Sequence, residues 1–170
     1  MTYTILDCYT DEPAGLGVPP YLGTYPRYIA GYLNEDVNYI TIDDLRLWKK
    51  YNSKVKNPKP SQKTDITTYN LTINHKNIKK ILEETDTLIV VLGVHVPGKY
   101  LSAIPGTLHE LIPLIKDLKC RKILTGPAVF GTQLFGGKFY ERADTSIFDK
   151  VDYLMFNFPY KDVKQYSIKG

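Results

Sequence analysis

The run Leu88-Ile89-Val90-Val91-Leu92-Gly93-Val94 contains only aliphatic residues and one glycine. A strand that alternates apolar and polar residues can leave one face in water, whereas one this uniformly apolar must be covered on both. That calls for a parallel sheet between layers of helices, and the rest of the chain supplies the parts. Thr2 to Tyr9 reads as a buried first strand, ended by Asp11, Pro13 and Gly15. Tyr25 to Leu33 reads as a helix, with Pro26 in its first turn and Asn34 at its C-terminal end. Tyr21, Tyr25, Tyr28 and Tyr32 recur at helical spacing and form a stripe expected to pack on the sheet, with Tyr21 and Tyr25 also placed to border a cleft. Val37 to Ile42 is a second strand, with Asp43 or Asp44 as N-cap of a short helical run from Leu45 to Lys50.

Tyr51 to Ile73 is the least regular stretch. Asn74 is placed to cap a helix running to about Glu84, with Ile78, Ile81 and Leu82 on its apolar side. Thr107 to Leu118 is a stronger helix, with Leu108, Leu111, Ile112 and Ile115 on one face and Pro113 positioned to kink it. Lys122 to Thr125 and Tyr153 to Phe158 complete five strands, while Gly126 to Lys138 reads as loop and Thr145 to Phe148 as a further helical turn. Strands alternating with helices predict an α/β fold: a doubly wound five-stranded parallel sheet, flavodoxin-like (Rossmann-like), in the order 2-1-3-4-5. A length of 170 residues suits one such domain, residues 1–160, with 161–170 as a C-terminal tail or linker.

Glycine and proline are not spread evenly. Ten of the 12 glycines and seven of the 11 prolines fall in the loops after the first, third and fourth strands. In a parallel sheet those loops emerge together at the carboxyl edge, and in this order the first and third strands flank the switch point where such folds bind ligands. Glycine lets backbone approach a ligand closely, and proline stiffens a long loop.

Several chemistries are disfavoured. The chain lacks G-x-x-x-x-G-K-[ST], and Gly15-Leu16-Gly17 has no third glycine at dinucleotide spacing. His75, His95 and His109 lack metal-ligand spacing. Two cysteines, Cys8 and Cys120, cannot build a cluster or a disulfide framework. A net charge of +4 is too small to argue for nucleic acid, and the lysines from Lys49 to Lys63 suit a solvated insertion loop. No run approaches the ~18 apolar residues of a membrane span and no signal peptide is visible, so a cytoplasmic location is expected. His109 reads as surface or boundary packing. His95, in Gly93-Val94-His95-Val96-Pro97-Gly98, either faces the cleft or packs against a helix. Asp7, Asp43 and Asp44 end strands, where acids bind ribose hydroxyls or cap helices.

The loops carry a resemblance. Leu16-Gly17-Val18-Pro19-Pro20-Tyr21-Leu22-Gly23-Thr24-Tyr25, followed by Tyr28-Ile29-Ala30-Gly31-Tyr32-Leu33, resembles the first loop and helix of the N-terminal cobalamin-binding domain in archaeal cobalamin-dependent radical S-adenosylmethionine proteins. Ser102-Ala103-Ile104 sits where that family has an S-x-L-like loop, and Thr125-Gly126-Pro127 where a G-G-P-type turn follows the fourth strand. The resemblance implies cobalamin across the carboxyl edge, for methyl transfer or radical rearrangement by a catalytic domain. Gly15, Gly17, Pro19, Pro20, Tyr21, His95, Gly98, Lys99 and Tyr100 would border the ring, Ser102 would supply a hydroxyl to the nucleotide tail and Gly126 would let backbone approach it, with Thr125 and Pro127 in the same cofactor-binding turn.

The chain departs from the family pattern at four places: Thr125 stands where the first of the paired glycines would be, Asn157-Phe158-Pro159 stands where G-E-G-E often follows the last strand, and two further features are absent. Pro13 stands where the axial histidine of D-x-H-x-x-G would be, and no C-x-x-x-C-x-x-C is present. The iron-sulfur cluster and S-adenosylmethionine are therefore expected only in a separate radical core of the same polypeptide, with this chain as its non-catalytic N-terminal domain. Two other readings stay open: a cofactor-free interaction domain of the same enzyme, and a flavodoxin-like nucleotide- or flavin-binding domain.

Overall fold

A computed structural model of the chain describes residues 1–9, 24–50, 59–60, 67–68, 77–92, 106–126, 129 and 150–155. Within them β1 (Tyr3–Asp7), β2 (Val37–Thr41), β3 (Thr87–Val91), β4 (Arg121–Thr125) and β5 (Tyr153–Leu154) form one sheet. Their order is β2-β1-β3-β4-β5, and every neighbouring pair is parallel. The chain has the α/β, flavodoxin-like architecture that its apolar runs require. β1 and β3 are buried at every position, as expected of central strands covered on both faces.

Two apolar layers hold the helices to the sheet. On one face Leu6, Cys8, Leu88, Val90, Leu92 and Leu124 pack with residues of α2 (Ile42–Leu45), α3 (Ile78–Glu83) and α4 (Leu108–Ile115). On the other, Tyr3, Ile5, Ile89, Val91, Ile123 and Met155 meet Ile29 and Leu33 of α1 (Thr24–Leu33). Each fully buried aliphatic side chain contributes about 1.5–3 kcal/mol, so the sheet-facing rows dominate stability.

The tyrosine stripe does not form core. Tyr28 and Tyr32 are 59% and 42% exposed, while Ile29 and Leu33 take the sheet-facing positions. Ile29 and Leu33 fill the helix's sheet-facing positions without a hydroxyl in need of a partner, and the Tyr28 and Tyr32 phenols lie on the exposed side of the helix. Tyr25 does pack against this layer, partly buried. Tyr21 lies outside the described residues. Gly31 shares the outer face of α1, and a Cβ added there would meet nothing within 4 Å. Gly31→Ala should therefore stabilise the fold by about 0.5–1 kcal/mol, because the helix loses a flexible residue and no contact is disturbed. A urea melt with an unchanged or earlier midpoint would contradict this.

The helix starts also differ from the sequence reading. Neither Asp43 nor Asp44 is the N-cap of α2. Thr41 is, and Asp44 sits three residues on, so that its carboxylate returns to the Thr41 backbone N–H at 2.7 Å. A threonine that can end a strand and cap a helix removes any need for a linker. The chain then continues from α2 into a five-residue π-helical segment, Arg46–Lys50. Helix α3 is shorter than expected and is preceded by Asn77, which makes no side-chain cap bond; Asn74 lies outside the described residues. Asn34 ends α1 in the left-handed conformation, φ 50°, as its position suggests. Of the irregular 51–76 stretch, Lys59–Pro60 pairs antiparallel with Thr67–Thr68. The 127–128 and 130–138 parts of the fourth-strand loop, the expected turn at 145–148 and the 156–158 end of the fifth strand lie outside the described residues.

Candidate functional site at the carboxyl edge

The last residues of four strands stand side by side. Thr41, Asp7, Val91 and Thr125 are in direct register across β2, β1, β3 and β4. Strand alternation turns this row to the α1 face, because Ile5, Ile89 and Ile123, two residues earlier, belong to that layer. Asp7 is buried, and its carboxylate is engaged on both oxygens. Oδ1 accepts the Tyr9 backbone N–H at 2.8 Å and Oδ2 the Tyr39 hydroxyl at 2.7 Å. Burial and the Asp7 charge push the Tyr39 phenol well above its ordinary value, so it remains a proton donor. Asp7 is thus committed to the fold and is not presented as a ribose acceptor.

Thr125 differs. It is 0% exposed, and its Oγ1 has no hydrogen-bond partner among the described residues. Leaving a hydroxyl dry and unpaired costs about 1–3 kcal/mol, and such groups in native structures call for an explanation. Next to it, Gly126 has φ +109°, and a Cβ there would lie 2.3 Å from the Leu92 carbonyl oxygen. The glycine is required by the backbone of the neighbouring strand end, whose N–H reaches the Thr125 carbonyl at 2.8 Å.

The opposite face of the same edge holds a polar cluster. Tyr9, with φ 61°, leaves the alternation of β1 and joins the layer of Cys8 and Leu6. Its hydroxyl donates to Asp43 Oδ2 at 2.9 Å. Arg46 donates from Nη1 to Asp43 Oδ1 at 2.9 Å, and from Nε and Nη2 to the two oxygens of Glu110 at 2.8 and 2.7 Å. Burial alone would lower the guanidinium, but the two carboxylates outweigh it and hold Arg46 charged. Burial, then the Asp43 charge, raises Tyr9 well above the usual phenol range. Cys8 is fully buried, and burial followed by the Asp7 charge keeps it a neutral thiol, unsuited to nucleophilic attack. These groups donate, accept and pack. Among the described residues no group of three or more His, Cys, Asp or Glu side chains could hold a metal ion.

Of the residues that the resemblance assigns to the cofactor, Thr125 and Gly126 fall within the described structure, and the strands bring them to the edge beside Leu92. Gly15, Gly17, Pro19, Pro20, Tyr21, His95, Gly98, Lys99, Tyr100, Ser102 and Pro127 lie outside the described residues. His109 is exposed on α4, as expected. Tyr9, Tyr39, Arg46 and Glu110 escaped the sequence reading. Arg46 and Glu110 stand 64 residues apart on different elements, and no spacing rule links them. No helix among the described residues is long and apolar enough to cross a membrane.

Comparison with known proteins adds relatives without adding a function. No family model matches the chain, and no solved structure matches it. An uncharacterized protein of Methanocaldococcus jannaschii is 33% identical over 193 aligned residues, covering 98% of this chain and 30% of that protein. An uncharacterized protein of Archaeoglobus fulgidus is 34% identical over 130 residues, covering 75% of this chain and 19% of that protein. The chain spans less than a third of the length of these curated relatives.

Proposed function

We propose that the chain is a cobalamin-binding-like domain of a radical S-adenosylmethionine enzyme, holding the cofactor at the carboxyl edge of its sheet for a catalytic domain elsewhere in the polypeptide. The observation that carries this is the buried hydroxyl of Thr125 at that edge, unpartnered among the described residues, in the sheet order whose switch point favours ligands. Three further points support it: the glycine- and proline-rich loops leave this edge, the loop motifs resemble those of cobalamin domains, and the relatives are far longer than the chain.

The described residues fit such a group as a hydrogen-bonding and packing surface. Thr125 Oγ1 would hold the polar tail, and the Leu92–Gly126 backbone contact would form the floor beside it. Ser102 and the backbone of residues 15–23 and 95–100 would supply the rest of the rim. When bound, cobalamin supplies methyl-transfer or radical chemistry; the protein's share is to bind and orient it. Tyr39 and Tyr9, kept protonated, and Cys8, kept neutral, serve at this edge as hydrogen-bond donors and packing groups.

Titration of the chain with hydroxocobalamin, followed in the visible spectrum, tests the proposal. A saturable shift at or below about 100 micromolar is expected, the range of a weak but specific site. Flavin mononucleotide run in parallel separates the flavodoxin-like reading. A response to the flavin alone, or to neither compound, overturns the cobalamin assignment.

A further inference from the structure

Tyr9 is a bulky residue in the left-handed region, a conformation disfavoured outside glycine. Such strain persists only where its surroundings impose it, and it gathers at sites that need a fixed geometry. Here two carboxylates impose it. Asp7 holds the Tyr9 N–H, and Asp43 holds the hydroxyl at the far end of the same side chain. Tyr9 lies two residues beyond the end of β1, so its backbone turn sets the direction of the chain at the exit of that strand.

The restraint extends beyond Tyr9. Asp43 is shared with Arg46, and the two-point Arg46–Glu110 pair ties the β2 exit to the first turn of α4. The Glu110 backbone N–H is in turn bonded to Thr107 Oγ1, the cap of that helix, at 3.2 Å. The Gly106 N–H, where the third-strand loop returns, donates to the Cys8 carbonyl at 3.1 Å. A Cβ at Gly106 would stand 2.9 Å from Ile42 Cγ1 and 3.2 Å from Cys8 Cβ, so the stems are packed as well as bonded. The exit of β1, the exit of β2 and the approach to α4 therefore form one braced unit.

We propose that Tyr9, Asp43, Arg46 and Glu110 are positioning residues, a strut that fixes the stem of the first carboxyl-edge loop against that of the third-strand loop. The strut touches no ligand. It sets the spacing between two loop stems, so that a ligand lying across both is bound without first ordering them. The link to ligand binding rests on the cobalamin-edge reading; the bracing itself does not. A strut predicts that loosening one end is felt at the other, which a local packing role at Tyr9 would not produce.

Tyr9→Phe removes one hydroxyl and keeps the ring, and Asp43→Asn keeps the shape and removes the charge. Without ligand, hydrogen exchange at the Gly106 amide should quicken at least about 10-fold in both variants while their thermal midpoints stay within a few degrees of the parent. With hydroxocobalamin, both should need roughly 10-fold more ligand, about 1.4 kcal/mol, to reach the same final spectrum. Unchanged exchange at Gly106 in either folded variant overturns the strut, as does parental affinity in both where the parent binds. If the parent shows no spectral shift, the cobalamin reading fails by itself, and exchange at Gly106 decides the strut.

Discussion

Gly126→Ala is expected to lose about 3 kcal/mol or more of folding stability, a large part of the 5–15 kcal/mol that a domain of this kind has in total. The residue holds φ +109°, where a side chain is strained whatever the space around it. Space is also lacking. An added Cβ would meet the Leu92 carbonyl oxygen at 2.3 Å and the Leu92 nitrogen at 2.7 Å, and both are backbone atoms. They belong to the chain just beyond β3, tied to β4 through the Leu92 N–H, so no side chain can rotate away to make room. Either β3 and β4 separate at their carboxyl ends or the glycine turn is rebuilt, and both disturb the edge that carries Thr125. Urea unfolding followed by circular dichroism measures the loss; a change below about 1 kcal/mol would show that the turn is more adaptable than its geometry implies.

Arg46→Met should cost about 2–3 kcal/mol. The guanidinium is 11% exposed, and its removal leaves Glu110, 23% exposed, without its two-point partner and Asp43 with only the Tyr9 hydroxyl of the bonds described above. Stripping one member from a buried pair costs about 3–5 kcal/mol, and the partial exposure of the carboxylates lowers the figure here. Most of that cost is the stranded charge. Adding Glu110→Gln to Arg46→Met should therefore restore part of the stability lost. A double variant weaker than the sum of the two single changes would contradict the ion-pair explanation.

The sheet was readable because its signal is local. The run from Leu88 to Val91 is apolar at every position, and burial on both faces follows from composition alone. Alternation of strands with helices points to a parallel doubly wound sheet, and 2-1-3-4-5 is the order that five such strands most often take. The tyrosines of α1 misled because period alone does not choose between two adjacent faces of a helix, and Ile29 and Leu33 sit only one residue from Tyr28 and Tyr32. The cap of α2 was misplaced for a similar reason: Thr41, Asp43 and Asp44 are all good cap residues, and the end of β2 decides among them.

Glycine and proline gather in the loops after three of the strands, but composition does not disclose the side-chain contacts at the strand ends. Tyr9 differs from an ordinary strand-end tyrosine in its backbone angle and in the bonds that Asp7 and Asp43 make to its two ends, none of which a local sequence pattern discloses. Gly126 stood out in sequence as a residue for close approach. The approach it permits is that of Leu92.

Thr125 offers the most direct test. Thr125→Val keeps the shape of the side chain and removes the hydroxyl that is unpartnered among the described residues, so the folded chain should gain about 1 kcal/mol in urea unfolding. The same variant should need roughly 10-fold more hydroxocobalamin than its parent to complete the visible spectral shift. Greater stability with weaker binding, measured side by side on parent and variant, is the result predicted for a hydroxyl held in reserve for a ligand. A parent that gives no shift, or a variant that gives the same titration curve, would contradict a cobalamin site at this edge.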